Sequence, residues 1–425
     1  MALTPTTPAR RIEIAPGTGA RRSWETSQLR SLRRAELDAV IDVMPAWLSH
    51  REWHLPEEAD SGLLWEFIER HGLGGALGSL AAEGLAPKGK LAEQAQERYF
   101  SNLLHYERAQ ATCQRIHDVA EKLGLPVLNL KGPALAEQAY GDGGIRSFSD
   151  IDLWTVSREG VFKLLRALDA VIVEDCDSSG VVRRVRAPGD VLARVDGWEI
   201  EIRSPTPVPT DPMLQLLAEM DSAEWLKADG GLAGPNASQH LLVLLLHMSW
   251  YHYFSRFVWF LDLAALVKRR QAEIDFEWVQ HQARRLNAVN QLGVAARFCR
   301  EQIDPAFPEF PIEKAAWNYR FLCSATEPRT IAEGRYSGHQ RGFLGESRMF
   351  WFRAARHYLL SDPGLRAGGG GWAGRWLDAT VTWGWQIYGR RLGSAIGWLT
   401  ALLLYPAARV MAWISTMPQK RGGGS

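Results

Sequence analysis

Apolar positions recur at helical spacing over most of the chain, and one block with a different pattern interrupts them. Apolar residues fall every three or four positions within residues 37–48, and helical patterns also cover roughly 57–71 and 90–123. These patterns predict an N-terminal helical region over residues 31–123. Residues 1–30 mix proline, threonine, glycine and arginine without a regular period, and we expect this segment to be disordered.

The pattern changes at Pro126, where short apolar runs of strand length begin to alternate with helical segments. The block ends near residue 210, after several closely spaced prolines. We therefore expect an α+β fold, in which a small mixed-sheet core over residues 124–210 is flanked by N- and C-terminal helical bundles. The strand-like runs cover residues 127–130, 151–156, 181–186, 191–195 and 198–202, and the helical runs cover 134–140 and 157–168.

Helical spacing returns after the block and predicts a helical domain over residues 211–340. A tryptophan-rich helical region over 341–418 and a flexible tail over 419–425 follow. Residues 392–408 carry no charge and approach the minimum length for crossing a bilayer. A buried or partner-facing helix, an amphipathic helix in the membrane plane and a membrane span all stay open. Peripheral contact with a membrane or a partner protein through residues 372–414 is one expectation.

Charge and cysteine content narrow the classes of function. The chain carries 49 basic and 48 acidic residues, a net charge of +1, so no strong overall field attracts nucleic acid or an anionic membrane. Its four cysteines are scattered without C-x-x-C spacing, which is typical of reduced thiols rather than a zinc site. The start of the chain has no apolar secretory segment. These features predict a cytoplasmic protein and leave membrane association open.

The candidate chemistry centres on two aspartates in one predicted strand. Asp150 and Asp152 are two residues apart, so their side chains point to the same side, with Cα atoms about 6.5–7 Å apart. Two carboxylates at this spacing suit a hard divalent cation such as Mg²⁺. A third carboxylate on a neighbouring strand would complete a two-metal site. Glu201 is the candidate and Glu199 the reserve, because both lie on one face of the same predicted strand.

Basic residues and glycine near these aspartates suggest phosphate binding. Lys131 and Gly132 follow a strand and precede a helix, where a backbone without Cβ lets phosphate oxygens approach closely. Lys131 or Arg146 would neutralise the charge of a triphosphate. For Arg146, an ion pair with the aspartates is an equally good interpretation.

Two residues of the later helices remain ambiguous. His247 ends an apolar helical run and is typical of a buried core histidine, although a role in binding stays open. Asp262 has apolar neighbours on both sides and is expected to be buried against a basic group, with Arg256 or His247 as the candidate partner.

The whole pattern resembles the nucleotidyltransferase superfamily that includes DNA polymerase beta. It is similar in particular to an uncharacterised bacterial nucleotidyltransferase family often found beside peptide-modification genes. That family shows an L-K-G run, a tyrosine, a glycine–arginine segment, D-I-D-L, a third motif near D-L-H, a helical histidine and W-x-x-D. The corresponding residues here are Leu130-Lys131-Gly132, Tyr140, Gly144-Ile145-Arg146, Asp150-Ile151-Asp152-Leu153, Glu201-Ile202-Arg203, His247 and Trp259-Phe260-Leu261-Asp262.

The resemblance implies a nucleoside triphosphate, with ATP as the expected one, bound together with two Mg²⁺ ions. An acceptor would attack the α-phosphorus and pyrophosphate would leave. Asp150, Asp152 and Glu201 would be the catalytic metal ligands. Nucleotide and phosphate binding would fall to a further set of residues: Lys131, Gly132, Tyr140, Arg146 and His247.

The acceptor itself is not specified by the sequence. A peptide or protein side chain, or a small molecule, is favoured over nucleic acid because the net charge is near zero. One alternative is a toxin-like transferase acting on RNA ends or on a partner protein. Another is a nucleotide-binding or helical adaptor protein whose catalysis has decayed, since Glu201 and Arg203 depart from the family's aspartate and histidine.

Overall fold

The structure of the protein is a computed structural model. It describes residues 34–175, 190–205, 212–220, 233–252, 254–286, 288–312, 322–323 and 325–332. The predicted strand at 181–186, the N-terminal segment 1–30 and everything after residue 332, including 372–414, lie outside the described residues. Within the described ranges, no helix combines the length and the apolar character needed to cross a membrane.

Between residue 34 and the sheet the chain forms four helices, and three of them match the helical patterns of the sequence. The helix α2 begins later than predicted because the side chain of Asp60 accepts hydrogen bonds from the amides of Gly62 and Leu63 and so fixes its first turn. The helix α3 was missed because its glycines lower helix propensity. Gly75 is needed there, since a Cβ would lie 2.2 Å from the carbonyl oxygen of Ile145. The helices are α1 (Arg34–Leu48), α2 (Ser61–Arg70), α3 (Gly74–Ala82) and α4 (Lys90–Lys122).

Among the residues that the structure describes, five strands form one sheet in the order β1-β2-β5-β4-β3, in which β2 and β5 run parallel and the other neighbours run antiparallel. The strand β3 was not predicted, because it closely follows the helix Arg158–Ala167 and begins with two exposed apolar residues, Val171 and Ile172, without a polar alternation. The strands are β1 (Val127–Asn129), β2 (Asp150–Thr155), β3 (Val171–Asp175), β4 (Asp190–Val195) and β5 (Trp198–Arg203).

Short helical segments connect the first strands. The helix α5 (Pro133–Leu135) continues as a π-helical turn (Ala136–Tyr140), and α6 (Arg158–Ala167) is capped by the Ser157 side chain. The later helices are α7 (Pro212–Glu219), α8 (Ala237–Leu246) with a π-helical turn (His247–Tyr251), α9 (Phe257–Arg270), α10 (Phe276–Arg285), α11 (Val289–Gln302) and α12 (Pro328–Ala332).

The two faces of the sheet have different surroundings. Ile151, Leu153, Ile200 and Ile202 point into an apolar cluster that includes residues of α4 and α6. Because side chains alternate along a strand, the residues between them point to the opposite face. There, Trp154 joins a second and larger apolar cluster built mainly from the other helices. The α+β fold with flanking helices is therefore confirmed, and the acidic residues of β2 and β5 lie on the face opposite α4 and α6.

Candidate active site

Three carboxylates converge on this face of the sheet. The parallel register pairs Asp150 with Glu199 and Asp152 with Glu201, so the two strands present acidic residues side by side. Oxygen atoms of Asp150, Asp152 and Glu201 all lie within 4.8 Å of one another. Such a group of carboxylate oxygens is compatible with one or two bound divalent cations.

The side-chain contacts of the two glutamates distinguish Glu201 from Glu199, which sequence alone did not. The Glu199 carboxylate lies 3.2 Å from the Arg194 guanidinium on β4 and has 42% of its side-chain surface exposed. It lies outside the carboxylate cluster in the described part of the chain.

The negative charges of the three carboxylates repel one another. The charge of Asp152 and, next, burial raise the pKa of Asp150 to about 6, and Glu201 adds to the effect. The positive charges of Lys131 and Arg146 act in the opposite direction without cancelling it. A site that holds this much negative charge in a partly buried position favours cations.

Lys131 lies between one of the aspartates and a histidine. Its ammonium group is 2.9 Å from a carboxylate oxygen of Asp152 and 3.1 Å from Nε2 of His247. Burial and then the Lys131 charge lower the pKa of His247 well below its ordinary value, so the ring is neutral and accepts a hydrogen bond from the ammonium group. The sequence had placed Lys131 and His247 separately near the nucleotide, and the structure shows that they contact each other.

Gly132 adopts a backbone conformation that suits glycine. Its φ is +60° and its ψ is −120°, values that an L side chain rarely adopts. A Cβ there would lie 3.2 Å from the carbonyl oxygen of Asp150. Gly132 therefore packs its backbone directly against the strand that carries the aspartates.

Arg146 is fixed by a buried network at the edge of the site. Its Nε donates to both carboxylate oxygens of Asp262, at 2.9 and 3.1 Å, and the Tyr140 hydroxyl donates to the same carboxylate at 2.6 Å. The expected partner of Asp262, Arg256 or His247, was therefore wrong. Arg146 forms its ion pair with Asp262 on α9 rather than with either aspartate of β2. The Tyr140 hydroxyl is hydrogen-bonded to the same carboxylate.

Arg203 is a contact of Glu201 that sequence reasoning did not assign. Its Nη2 lies 2.6 Å from Oε1 of Glu201, two residues earlier on the same face of β5. The guanidinium also lies 4.8 Å from the centre of the Tyr251 ring. The i, i+2 spacing of opposite charges on one strand was the signal that would have found this pair.

Aromatic side chains from the π-helical turn after α8 and from α9 line the same region. The His247 ring centroid lies 4.3 Å from that of His252 and 6.3 Å from that of Trp259. His252 and Trp259 are 4.6 Å apart. The helices that follow the sheet therefore contribute directly to the surroundings of Lys131.

The fold and the carboxylate cluster define an α+β protein with a candidate site for divalent cations. A family described as uncharacterised nucleotidyltransferase matches residues 57–304, which is more than half of the chain. The chain therefore belongs to this nucleotidyltransferase family. The matched range includes both the carboxylates of the sheet and Asp262 of α9. No curated protein and no solved structure matches the chain.

Proposed function

We propose that the protein transfers a nucleoside monophosphate from a nucleoside triphosphate, with ATP as the expected donor, to an acceptor and releases pyrophosphate. One observation carries this proposal. Carboxylate oxygens of Asp150, Asp152 and Glu201, from two parallel strands, lie within 4.8 Å of one another in a chain of the nucleotidyltransferase family. Family membership supports nucleotidyl transfer, and the cluster supports its dependence on a metal.

The three carboxylates suit two Mg²⁺ ions. Mg²⁺ prefers carboxylate oxygens and shares its remaining positions with phosphate and water. When bound, such ions neutralise charge on the transferred phosphate and activate the attacking group. Asp150 and Asp152 would hold both ions, and Glu201 would hold the ion on the acceptor side. The raised pKa of Asp150 reflects carboxylate repulsion, which bound cations would relieve.

The remaining residues would bind and orient the nucleotide. Lys131 brings a buried positive charge to Asp152, and Gly132, whose backbone lies directly against Asp150, would contact a phosphate group through its backbone amide. Arg146 would contact a phosphate through its terminal nitrogens. Tyr140 and His247 act indirectly in this proposal, since one holds Asp262 and the other accepts a hydrogen bond from Lys131.

For the acceptor, we favour a peptide or protein side chain or a small molecule. We expect the protein to act in the cytoplasm. The net charge of +1 offers no general attraction for the many phosphates of a nucleic acid. The proposal leaves room for contact with a membrane or partner protein through residues 372–414.

A second candidate is a nucleotide-binding protein without turnover, and one observation favours it. Two of the three carboxylates already form close ion pairs, Asp152 with Lys131 and Glu201 with Arg203. In this candidate, the ammonium group of Lys131 and the guanidinium group of Arg203 occupy the positions that metal ions would take. Catalysis is then lost, while the protein still binds the nucleotide.

A labelling experiment tests the proposal and separates the two candidates. Cell lysate with Mg²⁺ and the protein is supplied with ATP labelled at either the α- or the γ-phosphate. Nucleotidyl transfer predicts label on an acceptor from α-labelled ATP alone, with loss of signal in Asp150→Asn and Asp152→Asn. The control Glu199→Gln, on the same face but outside the cluster, keeps the signal. Transfer from the γ-position, or full activity of Asp152→Asn, contradicts the proposal, and binding of ATP without any transfer favours the second candidate.

A further inference from the structure

One edge of the Arg146 guanidinium is fixed and the other is turned away from Asp262. Only 9% of the side-chain surface is exposed, and Nε makes both contacts with the Asp262 carboxylate. Within the residues that the structure describes, the two terminal nitrogens have no hydrogen-bond partner. Burial lowers the pKa of Arg146, but the charge and hydrogen bond of Asp262, and then the charges of Tyr140 and Asp150, raise it above the ordinary value. The guanidinium therefore lies near the carboxylate cluster.

A second guanidinium lies along the same helix. Arg256 is the residue immediately before α9, and Trp259 and Asp262 follow it at intervals of three residues. The Arg256 guanidinium lies 6.0 Å from the centre of the Trp259 ring. In the described chain it has no carboxylate partner, unlike Arg146. The helix that fixes Arg146 through Asp262 therefore also carries an uncompensated positive charge at its N-terminal end.

A third arginine belongs to the segment packed against the start of α9. Arg70 ends α2, and the next residue, His71, accepts a hydrogen bond through its carbonyl oxygen from the amide of Val258 at 3.1 Å. The His71 and Phe257 rings are 4.6 Å apart. The two chain segments that carry Arg70 and Arg256 are thus in direct contact. Arg70 also has no carboxylate partner among the residues described.

The positive charges of Arg146 and Arg70 both act on Arg256. The Arg256 side chain is partly exposed, but protein atoms surround its guanidinium group. This burial, and then the charges of Arg146 and Arg70, lower the pKa of Arg256. Neighbouring guanidinium groups repel one another unless an anion lies between them. Arginine binds phosphate oxygens through paired N–H groups, so a polyphosphate is the anion that fits such a cluster.

We propose that Arg70, Arg146 and Arg256 form an anion-binding pocket beside the carboxylate cluster, and that it binds the β- and γ-phosphates of the nucleotide. The identity of the ligand rests on the proposed function. In this arrangement the carboxylates lie near the α-phosphate, and the arginines hold the part of the nucleotide that leaves as pyrophosphate. Asp262 and Tyr140 are positioning residues, because they act by directing Arg146.

Binding of inorganic triphosphate, ATP and AMP to the full chain tests this pocket by calorimetry, with and without Mg²⁺. Arg256→Ala removes an exposed side chain and is expected to weaken triphosphate and ATP binding at least about tenfold, as loss of a charged hydrogen-bond donor predicts. AMP binding changes less than about threefold, since AMP lacks both terminal phosphates. The matched control is Arg166→Ala on α6, an exposed arginine that lies on the other side of the sheet, and it leaves all three affinities unchanged.

Two further variants keep the test decisive. Arg70→Ala is expected to weaken triphosphate binding like Arg256→Ala, and Arg256→Lys restores part of it because the charge returns without the paired donors. The proposal is overturned if Arg256→Ala and Arg166→Ala bind triphosphate equally, if AMP binding falls as much as ATP binding, or if the wild type binds no triphosphate. A failure of the proposed function gives a different result from a failure of the pocket. The wild type would then transfer no nucleotide, while the arginine variants would still bind triphosphate more weakly than the wild type.

Discussion

Replacing Asp262 with alanine tests the network that holds Arg146 in place. The Asp262 carboxylate is fully buried and receives three hydrogen bonds, two from Nε of Arg146 and one from the Tyr140 hydroxyl. Without it, a buried guanidinium loses its counter-charge and a buried hydroxyl loses its acceptor. Breaking a buried ion pair of this kind costs about 3–5 kcal/mol of unfolding free energy.

The two donors allow the loss to be divided. Tyr140→Phe removes one hydrogen bond to a charged group and is expected to cost about 1.5–3 kcal/mol. In the Asp262→Ala background, the same change is expected to cost less than about 1 kcal/mol, because the acceptor is already absent. The exposed Asp118→Ala on α4 serves as control, with a change within about 0.5 kcal/mol.

Urea unfolding followed by circular dichroism measures each free energy by linear extrapolation. Binding of Mg²⁺ and ATP is measured on the same samples, and Tyr140→Phe is expected to weaken it because Arg146 loses orientation. The reasoning is refuted if the Asp262→Ala and Tyr140→Phe costs simply add in the double variant, or if Asp262→Ala costs no more than the Asp118 control.

Three further predictions concern the backbone and the titrating groups of the site. Gly132→Ala is expected to lose about 1–3 kcal/mol from its positive φ and to lose ATP binding, whereas Gly84→Ala, also at positive φ but with open space around it, loses stability alone. Burial and then the charge of Arg146 lower the pKa of His240 to about 3, so this histidine is neutral in the folded protein. Its contribution to the unfolding free energy is complete above about pH 6.5 and falls by about 1.4 kcal/mol per pH unit below that value. In urea unfolding between pH 7 and pH 5, His240→Gln is expected to remove this contribution to the pH dependence. The charge of Asp152 and burial raise the pKa of Asp150 in the folded protein to about 6, so the protein loses stability as pH rises through that value. Asp150→Asn is therefore expected to raise the melting temperature in EDTA at pH 8. An unchanged or lower melting temperature contradicts the repulsion between the carboxylates.

Local pattern was sufficient to predict the carboxylate side of the site. Alternation along a strand places Asp150 and Asp152 together whatever the sheet order, and it places Glu199 and Glu201 together in the same way. The register of β2 against β5 places each glutamate beside one aspartate, so the choice between them required their side-chain contacts: Glu199 pairs with Arg194 of β4, whereas Glu201 joins the aspartates. Sequence periodicity carries no information about those contacts.

The basic side of the site depended on contacts that are distant in the chain. Arg146 and Asp262 are separated by 116 residues, so no local spacing could pair them. The helix α3 was missed for a related reason: its glycines are unfavourable for an isolated helix, and close packing of Gly75 against the segment before β2 accounts for them. In both cases tertiary contacts decided what local propensity did not.

Binding of Mn²⁺ in the presence of a non-hydrolysable ATP analogue tests the central claim most directly, because the paramagnetic resonance signal of free Mn²⁺ decreases as the ion is bound. If three carboxylates form one metal site, the wild type and Glu199→Gln bind Mn²⁺ alike, while Asp150→Asn, Asp152→Asn and Glu201→Gln each bind it at least about tenfold more weakly. Equal binding by the wild type and the three cluster variants, or the same loss in Glu199→Gln as in Glu201→Gln, would contradict the account.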